Sequence, residues 1–299
     1  MLRIEANCYV NSMDKNHKPC AHAKSGETVV FVTKDCFGGQ IQSEDQIMDG
    51  LDWSNINPAT GPLYVEGALP GDVLKVEILD IEVADKGVMI DGGGEGVMGR
   101  FIHEAKTKIL PIRDGKVIFN DKLQFPIHPM IGVIGTAPAG DGIPTGTPGA
   151  HGSNMDCTKI VKGAKLYLPV NVEGALLAVG DLHALMGDGE VGVCGVETDG
   201  VVTIKISVLK NCNLPTPFIV DDKNAIALYS AETADEACEG AAIQMFKFLM
   251  SELDMTDHDA EMLLSVIGNV CICQIVDPEK TARMEIPISV LDAYGYKFA

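Results

Sequence analysis

A chain of 299 residues, 46% of them hydrophobic, is long enough to bury one large core or two modest ones. Its formal net charge of −19 repels nucleic acid and anionic lipid, so we expect small neutral or cationic partners, and acidic clusters can hold divalent cations. No segment approaches the ~20 apolar residues of a membrane helix, and the first ten residues lack a signal-peptide pattern, so the sequence predicts a cytoplasmic protein.

Nine cysteines are spread along the chain without the C-x-x-C spacing of a zinc ribbon. Because their number is odd, the sequence does not predict a disulfide framework. Cys271 and Cys273 alternate in the run VCICQIV, which predicts two small core residues on one face of a strand. Cys36 and Cys157 stand apart only because each directly follows an aspartate, Asp35 or Asp156.

The N-terminal part of the chain is predicted to be β-structure. The strand pattern ETVVFVTKD ends on Asp35, and CFGGQ follows it, so a carboxylate and Gln40 lie where regular strand pairing stops. A simple cap of the strand-to-loop turn is the alternative role for Asp35. Further on, Ser43 and Gln46 have the spacing of a helix-capping box, and Trp53, the single tryptophan, favours an anchor in the core or an interface.

Alternating strands and glycine-rich turns continue through the middle of the chain. Leu74, Val76 and Ile78 form one apolar face of a strand, and the pair Asp114-Gly115 predicts a hairpin. The run DGGGEGVMG (91–99) is not a phosphate loop, because neither a lysine–serine/threonine pair nor a helical pattern follows it. It is predicted to be a mobile loop and is a candidate lid.

Two glycine-rich segments in the centre hold the strongest candidate site. TPGAHGSNMD (147–156) and GALLAVGDLHALMGDGE (174–190) contain two of the chain's seven histidines and four acids: His151, His183, Asp156, Asp181, Asp188 and Glu190. Polar groups among glycines are typical of sites built on turns between strands.

Asp181 and His183 are two residues apart in a predicted strand. Side chains at i and i+2 of a strand point to one face, so this carboxylate and imidazole should converge. Such a pair suits a divalent metal, with a nearby free carboxylate as the base for a water molecule. Asp188 and Glu190 repeat the spacing beyond a glycine turn, and a hairpin whose acids are merely solvated is the alternative interpretation.

The character of the chain changes near Ser230. An alanine- and acid-rich helix is predicted there, with an apolar stripe of five residues: Ala237, Ala241, Met245, Phe248 and Leu249. A second helix is predicted from the N-cap Thr256 to Gly268. We therefore predict a mainly β protein, sandwich or barrel-like, with a β-rich catalytic region (1–225) and a C-terminal α+β segment (226–299) containing two helices and packed on it.

HGSNMD and GDLHALMGDGE, together with DCFGGQI, NPATGPLYVEGALPGDVL, PMIGVIGTAP and CQIVDP, resemble the acetamidase/formamidase family. The six segments occur in order from about residue 35 to about residue 278. This resemblance implies a metal-dependent hydrolase of short carboxamides, built mostly of β-structure. Ser153 departs from a usual glycine and Met186 from a usual glutamine. Without that amide, we expect amides with an apolar substituent to be preferred over formamide.

The predicted reaction is hydrolysis of a small carboxamide to carboxylate and ammonia. The candidate ligands of a divalent metal are Asp35, Asp156, Asp181 and His183, of which three would suffice. Zinc is the first candidate ion, and calcium or manganese are also compatible with an Asp-rich site. Glu190 is the predicted base that takes a proton from the attacking water.

Other polar groups near these segments are assigned to the substrate. His151 and Asn154 are predicted to position the amide or protonate the leaving amine, and the backbone N–H groups around Gly152 to hold the oxyanion. Gln40 and Asp188 are further substrate-binding candidates. We expect a homodimer or higher homo-oligomer, because closed symmetric oligomers are the usual case for soluble enzymes.

Two other functions are compatible with the sequence. A thiol amidase using Cys36 or Cys157 would be inactivated by alkylation and would be indifferent to chelators. A non-catalytic cation-binding β-module would bind metal but release no ammonia from any amide.

Overall fold

The computed structural model describes residues 1–298. The strands are, in chain order, β1 Leu2–Ile4, β2 Tyr9–Val10, β3 Ser12–Met13, β4 Ala21–Lys24, β5 Thr28–Thr33, β6 Ala59–Glu66, β7 Val73–Val83, β8 Lys86–Asp91, β9 Lys106–Arg113, β10 Lys116–Ile118, β11 Gln124–Pro126, β12 Met130–Gly135, β13 Ile143–Pro144, β14 Gly152–Asn154, β15 Lys165–Pro169, β16 Leu177–His183, β17 Glu197–Thr198, β18 Gly200–Leu209, β19 Phe218–Val220, β20 Asn224–Ala231, β21 Asn269–Gln274 and β22 Lys280–Pro287. The helices are α1 Ala234–Leu253, α2 Asp257–Ile267 and α3 Ile288–Ala293. Short 3-10 turns lie at Met48–Gly50, Trp53–Asn55 and Gly99–Phe101.

Two large sheets account for most of these strands. One sheet has nine strands in the order β1-β5-β18-β7-β15-β19-β20-β22-β21. The other has eleven, with the path β11-β10-β9-β8-β17-β16-β12-β14 and β6 joining β16 to β2 and β4. The prediction of a mainly β protein with C-terminal helices is confirmed.

The core between the sheets follows from alternation along the strands. Leu74, Val76 and Ile78 of β7 are buried in it, together with Leu177 and Val179 of β16 from the other sheet. Because successive side chains of a strand point to opposite faces, one apolar face of each sheet is buried by contact with the other. Full burial of each such side chain contributes roughly 1.5–3 kcal/mol.

The C-terminal helices cover the outer face of the nine-stranded sheet. On β15, Leu166 faces the core between the sheets, whereas Tyr167 packs in a second cluster with α1 residues such as Met245. All five residues of the predicted apolar stripe on α1 are buried. Thr233 caps α1 in a capping box with Glu236, while the predicted Thr256 caps α2. None of the described helices is long and apolar enough to cross a bilayer.

The predicted boundary near residue 225 falls inside a strand. β20 spans it and joins β22 and β21 to the nine-stranded sheet, so the C-terminal segment continues this sheet. The hairpin at Asp114-Gly115 is confirmed: both residues have positive φ, 49° and 70°, and Arg113 pairs with Lys116.

One disulfide corrects the expectation from the cysteine count. Cys8 and Cys20 are bonded, with 6.1 Å between their Cα atoms, while the other seven cysteines are free thiols. The two cysteines precede β2 and β4, which both pair with β6. Their proximity is therefore a product of strand pairing that sequence spacing does not reveal.

Candidate active site

Polar side chains from separate segments form one cluster, and four of its members, Asp181, Glu190, Glu197 and Asp277, line a cavity of about 660 Å³. They lie on β16, on the short β17 and in the loops that follow β14, β16 and β21. They are Asp156, Asp181, His183, Glu190, Glu197 and Asp277. All are buried except Asp277, which is partly exposed. The site therefore combines one imidazole with five carboxyl groups.

The predicted convergence of Asp181 and His183 occurs on β16. His183 Nε2 lies 3.4 Å from Asp181 Oδ1 and 3.7 Å from Asp156 Oδ1. Glu197 is added by strand pairing, because it lies opposite His183 in the β16–β17 register, 3.2 Å from the same nitrogen. The imidazole is thus surrounded by carboxylates from three segments.

Left-handed backbone conformations direct three of these carboxylates. Asp156, Asp181 and Glu190 have φ values of 43°, 53° and 47°, which non-glycine residues rarely adopt. Each such residue costs on the order of 1–3 kcal/mol and persists only where surrounding structure enforces it. Strain of this kind is concentrated at functional sites, which supports a role beyond solvation for these acids.

Gly132 on β12 lets two of the carboxylates approach each other. A Cβ atom built at this position would lie 2.4 Å from Asp156 Oδ1 and 2.6 Å from Asp181 Oδ2. Any other residue would therefore push both acids out of place.

The arrangement fits a divalent cation. Donor atoms of Asp156, His183 and Glu190 lie within 4.8 Å of one another, and so do those of Cys36, Asp181 and Glu197. Both carboxylate oxygens of Asp156, one of Asp181 and one of Glu197 are buried without a hydrogen-bond partner among the described residues. Buried carboxylate oxygens left unsatisfied are costly, and a coordinated cation is the usual way to satisfy them.

The pKa shifts of these side chains are also consistent with a cation site. Burial alone would lower the pKa of His183, but the carboxylates of Glu197 and Asp181 outweigh it and raise that pKa well above its ordinary value. Burial and the neighbouring acids raise the pKa values of Asp156 and Glu190 well above theirs. Burial raises the pKa of Glu197 to about 7, against the opposing effect of His183. The cluster therefore cannot ionise fully unless additional positive charge is present.

Asn154 and Asp277 form a polar corner of this cavity, whose exposed lining is otherwise mostly apolar. Asn154 Nδ2 donates to Asp277 Oδ2 over 2.8 Å, and Asn154 Oδ1 is buried without a partner. Burial, reinforced by the Glu190 carboxylate, raises the pKa of Asp277 well above its ordinary value. Asn154 therefore keeps one free acceptor beside the site.

Asp35 does not join the cluster, which corrects its assignment as a ligand. Its carboxylate accepts a 2.8 Å hydrogen bond from the Gly39 amide and belongs to neither donor group. Burial raises its pKa to about 6, and the carboxylates of Asp199 and Asp181 add to the effect. The alternative role, a cap of the strand-to-loop turn, matches this geometry, and the adjacent Cys36 faces the cavity instead.

The positions of His151 and Gly152 also do not support the roles predicted for them. His151 is buried and does not line the cavity, and burial lowers its pKa to about 4, so it is neutral at pH 7. The Gly152 amide donates to the Gly149 carbonyl, so it has no free N–H for an oxyanion. His151 lies in the turn that leads into β14, Gly152 is the first residue of that strand, and neither lines the cavity.

Gln40 and Asp188 bind protein groups rather than lining the cavity. The Gln40 side chain accepts from the Asp52 amide and donates to the Asp52 carbonyl, which ties two loop segments together. Asp188 accepts two hydrogen bonds from Arg283, of 2.9 and 2.7 Å, and one of 2.7 Å from Thr158. Their use as substrate contacts is not supported by these positions.

Glu197 and Asp277 were not assigned from the sequence, and Cys36 was considered only as the nucleophile of a thiol amidase. Cys36 and Asp277 lie inside the segments DCFGGQI and CQIVDP that carried the family resemblance, so that resemblance held a usable signal. Glu197 lies in CGVETDG, where no spacing marks it. Only its pairing with His183 across two strands shows its position.

The two departures from the family pattern occupy different surroundings. Ser153 has a φ of 75°, a conformation that suits the usual glycine, and its hydroxyl donates to the Thr145 carbonyl over 2.7 Å. Met186 is half-buried and does not line the cavity, so a substrate preference based on this side chain stays a prediction without a contact to support it.

Neither candidate thiol is placed as a nucleophile. Burial and the carboxylates of Glu197 and Asp181 raise the pKa of Cys36 well above its ordinary value, so its sulfur holds a proton. Burial also acts to raise the pKa of Cys157, but a hydrogen bond with Cys273 and the Arg283 charge lower it overall. Cys157 is fully buried and does not line the cavity.

Comparison with known proteins agrees with this geometry. The chain matches the model of the acetamidase/formamidase family over residues 4–143 and 137–293. A putative formamidase of Schizosaccharomyces pombe is 31% identical over 62% of this chain. The chain spans about 60% of the length of the curated relatives it matches.

Two solved structures share nearly the whole chain. An acetamidase from Bacillus halodurans is 46% identical, with 98% of this chain and 100% of that chain covered and a TM-score of 0.97. A predicted acetamidase/formamidase from Thermoanaerobacter tengcongensis is 48% identical, with 99% of both chains covered and a TM-score of 0.97. The chain therefore belongs to the acetamidase/formamidase family.

Proposed function

We propose that this protein hydrolyses carboxamides to a carboxylate and ammonia, using a divalent metal ion held at the acidic floor of the cavity. The observation that carries the proposal is the cluster of four carboxyl groups within 4.0 Å of His183 Nε2, with buried oxygens that lack partners. Relatives and solved structures named formamidase or acetamidase support this choice of reaction.

Asp156, Asp181, His183 and Glu197 would hold the metal, because the three carboxylates lie within 3.2–3.7 Å of His183 Nε2. When bound, such an ion polarises the amide carbonyl and lowers the pKa of a water molecule. Zinc suits a site with one imidazole and several carboxylates, and manganese or calcium would tolerate the excess of oxygen donors.

Glu190 is the proposed base. It lines the cavity, and its carboxylate lies 4.0 Å from His183 Nε2. Its raised pKa means that the carboxyl group would ionise when the donor group beside it holds a cation, and it could then take a proton from the attacking water. Because its carboxylate also lies among the possible metal ligands, an experiment must distinguish a base from a ligand at this position.

Asn154 and Asp277 are proposed to handle the substrate amide. The free Asn154 Oδ1 can accept a hydrogen bond from the amide N–H₂ group, while its Nδ2 holds Asp277 in place. Burial raises the pKa of Asp277, which favours the protonated form, and in that form Asp277 can donate a proton to the departing nitrogen. Asp277 thus takes the part that the sequence assigned to His151.

The test is metal analysis of the purified protein alongside ammonia release from formamide, acetamide and longer amides. We expect bound divalent metal, ammonia release, and loss of both after chelation with recovery on adding metal back. Metal without ammonia from any amide would instead identify a cation-binding module. Activity that survives chelation but not thiol alkylation would identify a thiol amidase.

A further inference from the structure

The cavity is much larger than the smallest amides require. At roughly 30 Å³ for each water-sized group, acetamide fills on the order of 100 Å³. The cavity measures about 660 Å³, within the range of roughly 300–1,000 Å³ that is typical of sites for much larger ligands. Formamide or acetamide at the floor would leave most of this space to water.

Most of the exposed lining of this extra space is apolar, beside several asparagine, serine and threonine side chains. Phe37, Met48, Ile56 and Val193 line it, and Trp53 lies at its edge with 57% of its surface exposed. An exposed tryptophan beside a cavity can cover an apolar ligand with a rigid surface at little cost in conformational entropy. The walls therefore match a hydrocarbon substituent better than solvent.

The charges around the cavity are of one sign. Glu95 joins the acids of the floor in the lining, while no lysine, arginine or histidine side chain of the described residues lines it. A carboxylate on the acyl group of a substrate amide would be repelled by these acids and would find no basic side chain to pair with. Desolvating it would therefore cost free energy. An amide that carries an additional negative charge should therefore be rejected.

We propose that the preferred substrates are primary amides with a bulky, uncharged apolar acyl group, such as 3-phenylpropionamide, rather than formamide or acetamide. This inference rests on the proposed amidase function. The carboxamide lies at Asn154 and Asp277, and the acyl substituent packs against the walls that end in Trp53. Water adds to the carbonyl carbon and gives one proton to Glu190, and the C–N bond breaks as the nitrogen takes the proton of Asp277 and leaves as ammonia. The proton on Glu190 returns to Asp277, and the acid that is formed ionises to the arylalkyl carboxylate.

Burial of apolar surface sets the expected size of the preference. Each methylene moved from water into an apolar cavity changes kcat/KM by roughly fourfold. Along the series acetamide, butyramide, pentanamide and 3-phenylpropionamide, we expect kcat/KM for ammonia release to rise by about 100-fold or more. Succinamate, which is close to pentanamide in size but carries a carboxylate, should be at least about 100-fold poorer than pentanamide.

A variant at the edge of the cavity tests the wall directly. Trp53→Ala should lower the ratio of kcat/KM values, 3-phenylpropionamide over acetamide, by about five- to tenfold. Tyr294→Ala is the matched control, because Tyr294 is also 57% exposed and does not line the cavity, so the ratio should stay at the wild-type value. An unchanged ratio in Trp53→Ala, or acetamide as the best substrate of the wild type, would overturn the inference while leaving amidase activity established.

A binding measurement separates this inference from the proposed function. Trp53 is the only tryptophan of the chain, so its fluorescence reports on the edge of the cavity. If no amide releases ammonia, the proposed function fails, and titration with 3-phenylpropionamide then decides only whether the cavity selects an amide with a bulky apolar acyl group. A saturable change with this amide, and none with acetamide or 3-phenylpropionate at the same concentrations, would support it. The absence of any saturable change would overturn it.

Discussion

Asp188 and Glu190 are two residues apart, yet their carboxylates lie in opposite environments. Asp188 is held by Arg283 and Thr158, and these partners lower its pKa against the effect of burial. Glu190 is buried beside Asp156 with no basic residue other than His183 near it, and its pKa is raised. The local backbone explains the divergence, because Gly189 and Glu190 have φ values of 100° and 47° and break the alternation of a strand.

This contrast separates structural acids from acids available for chemistry. A buried or half-buried carboxylate that is paired with a cation, as Asp188 is with Arg283, has a lowered pKa. A carboxylate that is buried without such a partner destabilises the chain, and is retained where a ligand or reaction uses it. Asp156 and Glu190 belong to this second kind, whereas His183 outweighs the effect of burial and lowers the pKa of Asp181.

The largest effect is expected at the centre of the cluster. His183→Ala and Asp181→Asn should each lower metal occupancy and reduce kcat/KM by on the order of 10³ or more, because both side chains supply donors to the same site. Metal analysis and ammonia release on the same preparation check this. Wild-type occupancy in both variants would show that β16 does not hold the metal.

The paired acids can be compared directly. Glu190→Gln should reduce kcat by about 10²–10⁴ while metal content stays near that of the wild type, as expected for a base. The matched variant Asp188→Asn should retain activity within about threefold and lower the free energy of unfolding by about 1–3 kcal/mol, because Arg283 loses one of its two carboxylate partners and keeps Glu285. Loss of metal in Glu190→Gln would make Glu190 a ligand, and loss of activity in Asp188→Asn would remove the contrast.

A smaller effect is expected from the glycine beneath two of the acids. Gly132→Ala places a methyl group against Asp156 and Asp181, which should cost about 1–3 kcal/mol of stability and about 10- to 100-fold in kcat/KM. Gly140→Ala is the control, since a Cβ there meets nothing within 4 Å. Urea denaturation and ammonia release check both variants, and equal behaviour of the two would show that the close approach at Gly132 is unimportant.

The smallest effect concerns His151. Its pKa is lowered by burial from 6.5 to about 4, so the unfolded chain binds more protons between these pH values and acidification favours unfolding. From pH 7 to pH 4, the wild type should lose about 2–3 kcal/mol of stability relative to His151→Gln. Activity at pH 7 should stay within about threefold of the wild type. Urea titrations across this range check the slope, and a large loss of activity would restore His151 to the catalytic site.

Much of the architecture could be predicted from the sequence because it depends on interactions between residues that are close in the chain. Alternation along β7, the turn residues at Asp114-Gly115 and the Thr256 cap of α2 depend on neighbours within a few positions. The convergence of Asp181 and His183 was predicted from the alternation of a strand and is observed, although the left-handed φ of 53° at Asp181 departs from a regular strand.

The composition of the site was decided by tertiary structure. Glu197 reaches His183 only through the β16–β17 register, and Asp277 reaches the site only because the loop between β21 and β22 lines the cavity. Left-handed backbone at Glu190 turned it away from Asp188, and a local hydrogen bond kept Asp35 out of the cluster. Residue type and spacing determined which groups were available, whereas long-range pairing determined which of them share one low-dielectric cavity, because contacts between distant segments leave no periodic trace in the chain.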